Sequence, residues 1–253
     1  MQEELVLTVE RVSKAFGGVR ALQDFSCRIE PRTIVGLIGP NGAGKTTLFN
    51  VITGFIAPDA GSVSLDGREL TRHAPFRIAR MGISRTFQDL RLLRQMTVLD
   101  NLLLAGTGGL GEGLWSPFFS PRWLADRRRR NEPRAMDLLE FVGLADQANH
   151  LGSELSYGQQ KLVALACCLA TDPDLLMLDE PVSGIHPALV EKILEMMQGF
   201  PKQGKTVVFI EHNLEAVMEV ADKVIVMDEG KKLTEGAPSI IRDDPRVIEA
   251  YLE

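Results

Sequence analysis

Alternating apolar and polar residues open this chain, and apolar residues recurring at helical spacing carry its middle. Leu5 to Val12 alternates in part, a Gly17-Gly18 turn follows, and Ala21 to Ile29 resumes the pattern, which predicts two strands. Thr33 to Ile38 is a short unbroken apolar run ending in glycine, the look of a buried parallel strand, and Gly44 to Thr53 reads as the helix after it. Val63 to Leu65, closed by Asp66-Gly67, and Ile83 to Phe87 are further strand candidates. Thr97 to Ala105 reads as helix. Gly106 to Pro121 holds five glycines, two prolines and the aromatic residues Trp115, Phe118 and Phe119, the composition of an inserted loop. Ala125 to Val142 is helical and charged, with Pro133 expected to break it or start a turn. Ser156 to Ala170 is a strong helix. Strands and helices then alternate: Leu175 to Leu178, Pro187 to Gln198, Thr206 to Ile210, Leu214 to Ala221, Val224 to Met227. That order implies βαβ units on a parallel sheet, with two short helices between Pro238 and Leu252.

Composition narrows the function classes. At about 150 residues per domain, 253 residues make between one and two domains. Hydrophobic residues at 45% and charged residues at 25% exclude a disordered or collagen-like chain. The net charge of −6 argues against a nucleic-acid partner, since dedicated binders carry a basic surplus. The one basic run, Arg127 to Arg130, reads as a solvated helix face balanced by Glu132, Asp137 and Glu140; the alternative is contact with anionic lipid headgroups or phosphate. Cys27, Cys167 and Cys168 form no disulfide framework, and the odd count suggests a reducing compartment. Met1-Gln2-Glu3-Glu4 is acidic with no apolar stretch behind it, so no signal peptide is expected. The longest apolar run, Leu162 to Ala170, is nine residues, whereas a membrane-spanning helix needs about 20.

Three motifs carry the chemistry. Gly39-Pro40-Asn41-Gly42-Ala43-Gly44-Lys45-Thr46 fits G-x-x-x-x-G-K-[ST] in full, between an apolar strand and an amphipathic helix. Its glycines let successive N–H groups converge on phosphate oxygens, and the helix start adds the positive end of its dipole. Lys45 supplies a point charge to the β- and γ-phosphates, and the Thr46 hydroxyl can ligate Mg²⁺. Leu175 to Leu178 ends in Asp179 and Glu180; in a parallel sheet that end faces the nucleotide, so Asp179 can hold Mg²⁺ and Glu180 can polarise the attacking water. Leu155-Ser156-Tyr157-Gly158-Gln159 opens a helix: Ser156 is an N-cap, and Gly158, costly in a first turn, suits the approach of an anion to bare amides.

Taken in order, Gly39 to Thr46, Gln88, Leu155 to Gln159, Leu178-Asp179-Glu180 and His212 resemble the nucleotide-binding subunit of ABC transporters, over essentially the whole chain. The resemblance implies an α/β P-loop NTPase core with a mainly parallel sheet, an N-terminal antiparallel β subdomain and an α-helical subdomain. Residues 1–88 and 172–253 would form the core and β subdomain, and 89–171 the helical subdomain with an insert at 106–124. It implies that ATP lies against Phe16, Gly39 to Thr47, and the Ser156, Gly158 and Gln159 turn of a second subunit, homologous or identical. It implies that Thr46, Gln88 and Asp179 hold Mg²⁺, and that Lys45, Glu180, Gln88 and His212 act in hydrolysis. Partners would be transmembrane permease subunits, and indirectly a solute-binding protein, with the chain peripheral on the cytoplasmic face of the cell membrane. A P-loop kinase or GTPase would leave the Ser156 turn and His212 without a role, and a soluble ABC protein usually carries two cores in one chain or a coiled-coil insert.

Gly82 to Gln88, Met96 to Asn101, Tyr157 to Gln160 and Asp244 to Leu252 are similar to the ATPases of branched-chain amino acid importers; urea or amide importers and the lipopolysaccharide exporter ATPase are relatives of that group. Two positions depart from the family pattern. Tyr157 replaces the glycine after Ser156, and His186 stands where the loop after Glu180 usually carries an acidic or amide residue. The aromatic residues Trp115, Phe118, Phe119 and Trp123 of the insert pack on the helical subdomain or dock on the permease.

Overall fold

Alternation in the first third of the chain builds one antiparallel sheet. The structure, a computed structural model, describes residues 6–87, 90–106 and 121–252, the side chains of 121–127 and 252 apart. Strand β1 (Leu7–Phe16) pairs with β2 (Val19–Ile29) across the Gly17-Gly18 turn and, on its other edge, with β4 (Ala60–Leu65), which β5 (Arg68–Glu69) follows across Asp66-Gly67. Leu7, Val9 and Val12 of β1 and Leu22, Phe25, Cys27 and Ile29 of β2 turn one face inward.

The unbroken apolar runs build the second sheet, in the order β10-β9-β3-β8-β7-β6. Here β3 (Ile34–Ile38), β7 (Leu175–Asp179) and β8 (Thr206–Ile210) are buried at every position, as strands covered on both faces must be. β6 (Ile83–Arg85), β7, β8, β3 and β9 (Lys223–Asp228) are parallel; β10 (Lys231–Gly236) returns antiparallel along β9. Helix α1 (Lys45–Ile52) puts Leu48, Phe49, Val51 and Ile52 into one hydrophobic cluster with residues of both sheets. Fully burying side chains of this size is worth about 1.5–3 kcal/mol each. Around the second sheet lie α2 (Pro75–Arg80), α6 (Pro187–Gly199), α7 (Leu214–Val220), α8 (Pro238–Arg242) and α9 (Pro245–Leu252).

The chain divides into two compact units. Both sheets belong to the unit made of Met1–Arg85, Asp174–Ser183 and Pro187–Glu253; Thr86–Pro173 with Gly184–His186 forms the other. This second unit is helical: α3 (Val98–Ala105), α4 (Pro121–Phe141) and α5 (Tyr157–Ala170). Thr97 caps α3 by accepting the Asp100 amide at 3.1 Å. Buried Asn101 accepts the Leu93 amide at 2.8 Å and donates to the Leu93 and Thr97 carbonyls, stitching the preceding loop to the helix. Arg128 pairs with Asp100 at 2.9 Å and reaches Glu132 at 3.8 Å.

The α/β architecture with a mainly parallel sheet, an antiparallel β part and a helical part is as expected, and four local readings change. Pro133 does not break its helix: α4 runs continuously from Pro121 to Phe141. Pro133 is exposed, so the carbonyl one turn back, deprived of its donor, can be hydrated. The strand at 83 ends at Arg85 rather than Phe87. α2 was not legible, being six residues with Pro75 at its start and only Ile78 buried, too short to show a period. β10 was not legible either, because its mixed polar sequence has no alternation and its partner is a single strand. Residues 107–120 of the insert lie outside the described residues, so the expected packing or docking of Trp115, Phe118 and Phe119 does too, as does the side chain of Trp123. All three cysteines are free. Among the described residues no helix is long and apolar enough to cross a membrane.

Candidate active site

The phosphate loop grows out of β3. Gly39 takes φ +148°, where a Cβ would overlap the Met227 carbonyl oxygen, and Gly44 takes φ +96°, where a Cβ would overlap that of Ala21. Only glycine satisfies both the torsions and the space. The loop closes through the Ala43 amide to Pro40 O at 3.2 Å, and is tied to the β9–β10 turn by the Gly230 amide to Ala43 O at 3.1 Å. Gly44 is the N-cap of α1 and brings no side chain, so the first-turn amides have no side-chain acceptor. Asn41, Gly42 and Thr46 are exposed at this end, and Thr47 is half-buried.

Lys45 is 6% exposed. Its ammonium donates to the carbonyls of Gly39 at 2.7 Å and Pro40 at 2.8 Å. Burial pulls its pKa below the ordinary lysine range, and the charges of Glu180 and Asp179 oppose that pull. The lysine therefore rests on its own loop within the field of both carboxylates.

Those carboxylates stand where β7 ends. Asp179 is buried and takes an ion pair from Arg85 Nη2 at 2.9 Å, the two side chains being 3% and 5% exposed. Arg85 Nη1 donates to Asn50 Oδ1 at 2.7 Å and lies 3.3 Å from Thr53 Oγ1, both on the phosphate-loop helix or its cap, and its guanidinium sits 5.3 Å from the Phe49 ring centre. Glu180 adopts φ +50°, a left-handed backbone costing about 1–3 kcal/mol for a non-glycine residue, typical of strained functional positions. Its amide continues the ladder to Ile210 O at 2.9 Å, and its Oε1 lies 3.1 Å from His212 Nε2.

Two residues at this edge escaped the sequence reading. Arg85 lies within the span Gly82 to Gln88, where spacing gives it no role because its partners lie 35 and 94 positions away. Glu211 is 1% exposed; its Oε1 accepts the Val182 amide at 2.8 Å and its Oε2 the His212 amide at 3.2 Å. It thereby joins the loop leaving Glu180 to the turn carrying His212. The only signal was an acid closing an apolar strand, which many surface turns share.

Phe16 is 45% exposed at the β1–β2 hairpin, its ring 5.5 Å from Lys14 Nζ. Exposure removes the alternative of a core phenylalanine. In the helical unit, Ser156 Oγ accepts the Gln159 amide at 3.3 Å and Gln159 Oε1 the Ser156 amide at 2.9 Å, a reciprocal capping box at the start of α5. Gly158 is half-buried in that first turn. Tyr157 is exposed, its ring 5.4 Å from Lys161 Nζ. His186 is exposed. Gln88 lies outside the described residues.

Residues 22–183 match the family model described as ABC transporter, and 231–252 the model described as branched-chain amino acid ATP-binding cassette transporter. The chain is 42% identical over 250 residues to the high-affinity branched-chain amino acid transport ATP-binding protein LivG of Salmonella typhimurium, covering 98% of this chain and 97% of the relative. BraF of Pseudomonas aeruginosa, named for the same transport, is 39% identical over 253 residues with the same coverage. Among solved structures, an ATP-binding cassette of an ABC transporter in its ADP conformation superposes with TM-score 0.85 at 34% identity, covering 98% of each chain. A dimeric bacterial ABC transporter cassette matches with TM-score 0.77 at 25% identity, covering 92% of this chain and 98% of that one.

Proposed function

This chain belongs to the ABC transporter ATP-binding family, and from that membership we propose that it hydrolyses ATP to power a membrane permease for branched-chain amino acids. The observation that carries the mechanism is one sheet edge. There Lys45 lies on the loop carbonyls of Gly39 and Pro40, and Glu180 stands 3.1 Å from His212. A strained glutamate beside a histidine, in the field of a buried lysine, is an acid–base pair aimed at a phosphate.

In this reading, the amides of Gly42, Gly44, Lys45, Thr46 and Thr47 receive the β- and γ-phosphates, and Phe16 offers its exposed face to the adenine. Lys45 exchanges two carbonyl acceptors for phosphate oxygens. Glu180 takes a proton from the attacking water, and His212 donates to the γ-phosphate oxygens as charge moves onto them. Thr46 and Asp179 are hard oxygen donors that suit Mg²⁺, with Gln88 assigned beside them by motif order. Held by Thr46 and Asp179, with Gln88 beside them, the ion would supply positive charge against the phosphates.

The turn of Ser156, Gly158 and Gln159 completes the site of a second ATPase subunit, identical or homologous, with residues 89–171 as its helical carrier. Energy passes to transmembrane permease subunits at the cytoplasmic face, to which the chain binds peripherally; a solute-binding protein delivers the amino acid from the other side, and nucleic acid has no part. The test is ATP turnover and leucine uptake in vesicles carrying the assembled transporter. Lys45→Ala abolishes nucleotide binding. Glu180→Gln keeps binding but lowers phosphate release at least about 100-fold, as expected for removal of a general base. Turnover at the parental rate in Glu180→Gln would remove Glu180 from the mechanism.

A further inference from the structure

The first residue of the phosphate loop is held from the far end of the chain. The buried Gly39 amide donates to the Tyr251 hydroxyl at 2.8 Å, across 212 positions of sequence. Gly39 is thus held at both its polar groups, its amide by Tyr251 and its carbonyl by the Lys45 ammonium at 2.7 Å, and the Met227 carbonyl leaves no room for a Cβ.

Tyr251 sits on α9, and α9 is itself tied down. Val247 is buried, and the Ile248 amide bonds to Asp244 O at 3.2 Å. Arg246 clamps Asp244 at 2.7 Å and reaches Thr234 Oγ1 on β10 at 3.1 Å. A groove of about 470 Å³ runs beside the ring, lined by Leu214, Met218, Ile241 and Ile248 among others. Burial raises the phenol pKa, while the Gly39 amide lowers it by a smaller amount, so the hydroxyl stays neutral at physiological pH.

We propose that Tyr251 is a positioning residue for nucleotide binding: its hydroxyl holds the Gly39 peptide in place when Lys45 leaves the Gly39 and Pro40 carbonyls for the phosphates. Without nucleotide, the lysine and the tyrosine both brace that peptide. Once the lysine swings away, the Gly39 carbonyl loses its donor and Tyr251 still holds the amide of the same residue. The C-terminal helix then contributes to ATP affinity without touching ATP. This inference rests on the reading of Gly39 to Thr46 as the ATP site.

The experiment compares Tyr251→Phe, Lys45→Ala and the parent, all full-length, by calorimetric titration with ATP and Mg²⁺ and by steady-state turnover in the assembled transporter. Loss of one ordinary hydrogen bond to a buried amide weakens a coupled binding step by about 5- to 10-fold. Tyr251→Phe is expected to raise the ATP dissociation constant and the KM by that factor while kcat falls less than twofold. A merely structural role would instead lower the melting temperature of the nucleotide-free protein and leave KM alone. The chain has two tyrosines, so 3-fluorotyrosine labelling gives two ¹⁹F signals, assigned by subtraction in Tyr157→Phe. The Tyr251 signal is expected to shift on ATP addition. Binding by Tyr251→Phe within twofold of the parent, or an unmoved ¹⁹F signal, overturns the proposal while Lys45→Ala still fails to bind. Retained binding by Lys45→Ala instead overturns the assignment of the loop itself.

Discussion

Arg85 gathers the most consequential long-range contacts of any single residue at the sheet edge. Its pair with Asp179 is almost dry, and the same guanidinium reaches Asn50 on α1. Removing one partner of a buried pair leaves the other charge uncompensated, at a cost of about 3–5 kcal/mol. Arg85→Ala is therefore expected to lower unfolding stability by that amount in urea titration, and Arg85→Lys to recover only part of it, since a point charge cannot serve two acceptors in a fixed fork. A loss under about 1 kcal/mol would show that the pair does not support the site. Glu211 is the second such residue: replacing it removes the side-chain acceptor of two amides, Val182 and His212.

At the scale of elements, the start of α5 serves two ends. Ser156 and Gln159 cap each other and so fix the first turn with Gly158 in it. Ser156→Ala removes one cap, worth about 1 kcal/mol, and is expected to lower the melting temperature by about 2–4 °C. Ser156→Arg also places bulk and charge on the surface assigned to the second subunit's ATP. It is expected to leave nucleotide binding by the isolated chain intact and to abolish turnover in the assembled transporter, measured as phosphate release. The motif elements were legible because each repeats a local rule: a buried run, a glycine turn, a cap. α2 and β10 follow no such rule, since one is a single short turn sequence rich in arginine and the other a polar edge strand.

For the whole molecule, the decisive property is that the loop holding Lys45 and the turn holding Ser156 belong to different compact units. On the proposed reading, a γ-phosphate bound by two subunits would make ATP a ligand of the closed pair, and differential affinity for that state would drive closure. In size-exclusion chromatography Glu180→Gln is expected to run as a dimer with ATP and Mg²⁺ and as a monomer with ADP. Lys45→Ala is expected to stay monomeric under both conditions. The proposed pair has either a second copy or a homologous ATPase as its other member, and mixing the two labelled chains distinguishes them.

Local order was settled by the chain itself. The apolar runs set β3, β7 and β8, glycine spacing set the phosphate loop, and the carboxylates at 179 and 180 followed from the end of a strand. Those features depend on neighbours a few positions apart, so spacing encodes them. What required the folded molecule were contacts across 29 to 212 positions: Glu211 under the Val182 loop, His212 against Glu180, Arg85 on Asp179, and Tyr251 on Gly39. A hydrogen bond between distant residues leaves no period and no spacing in one sequence; only packing brings the donor within reach of its acceptor.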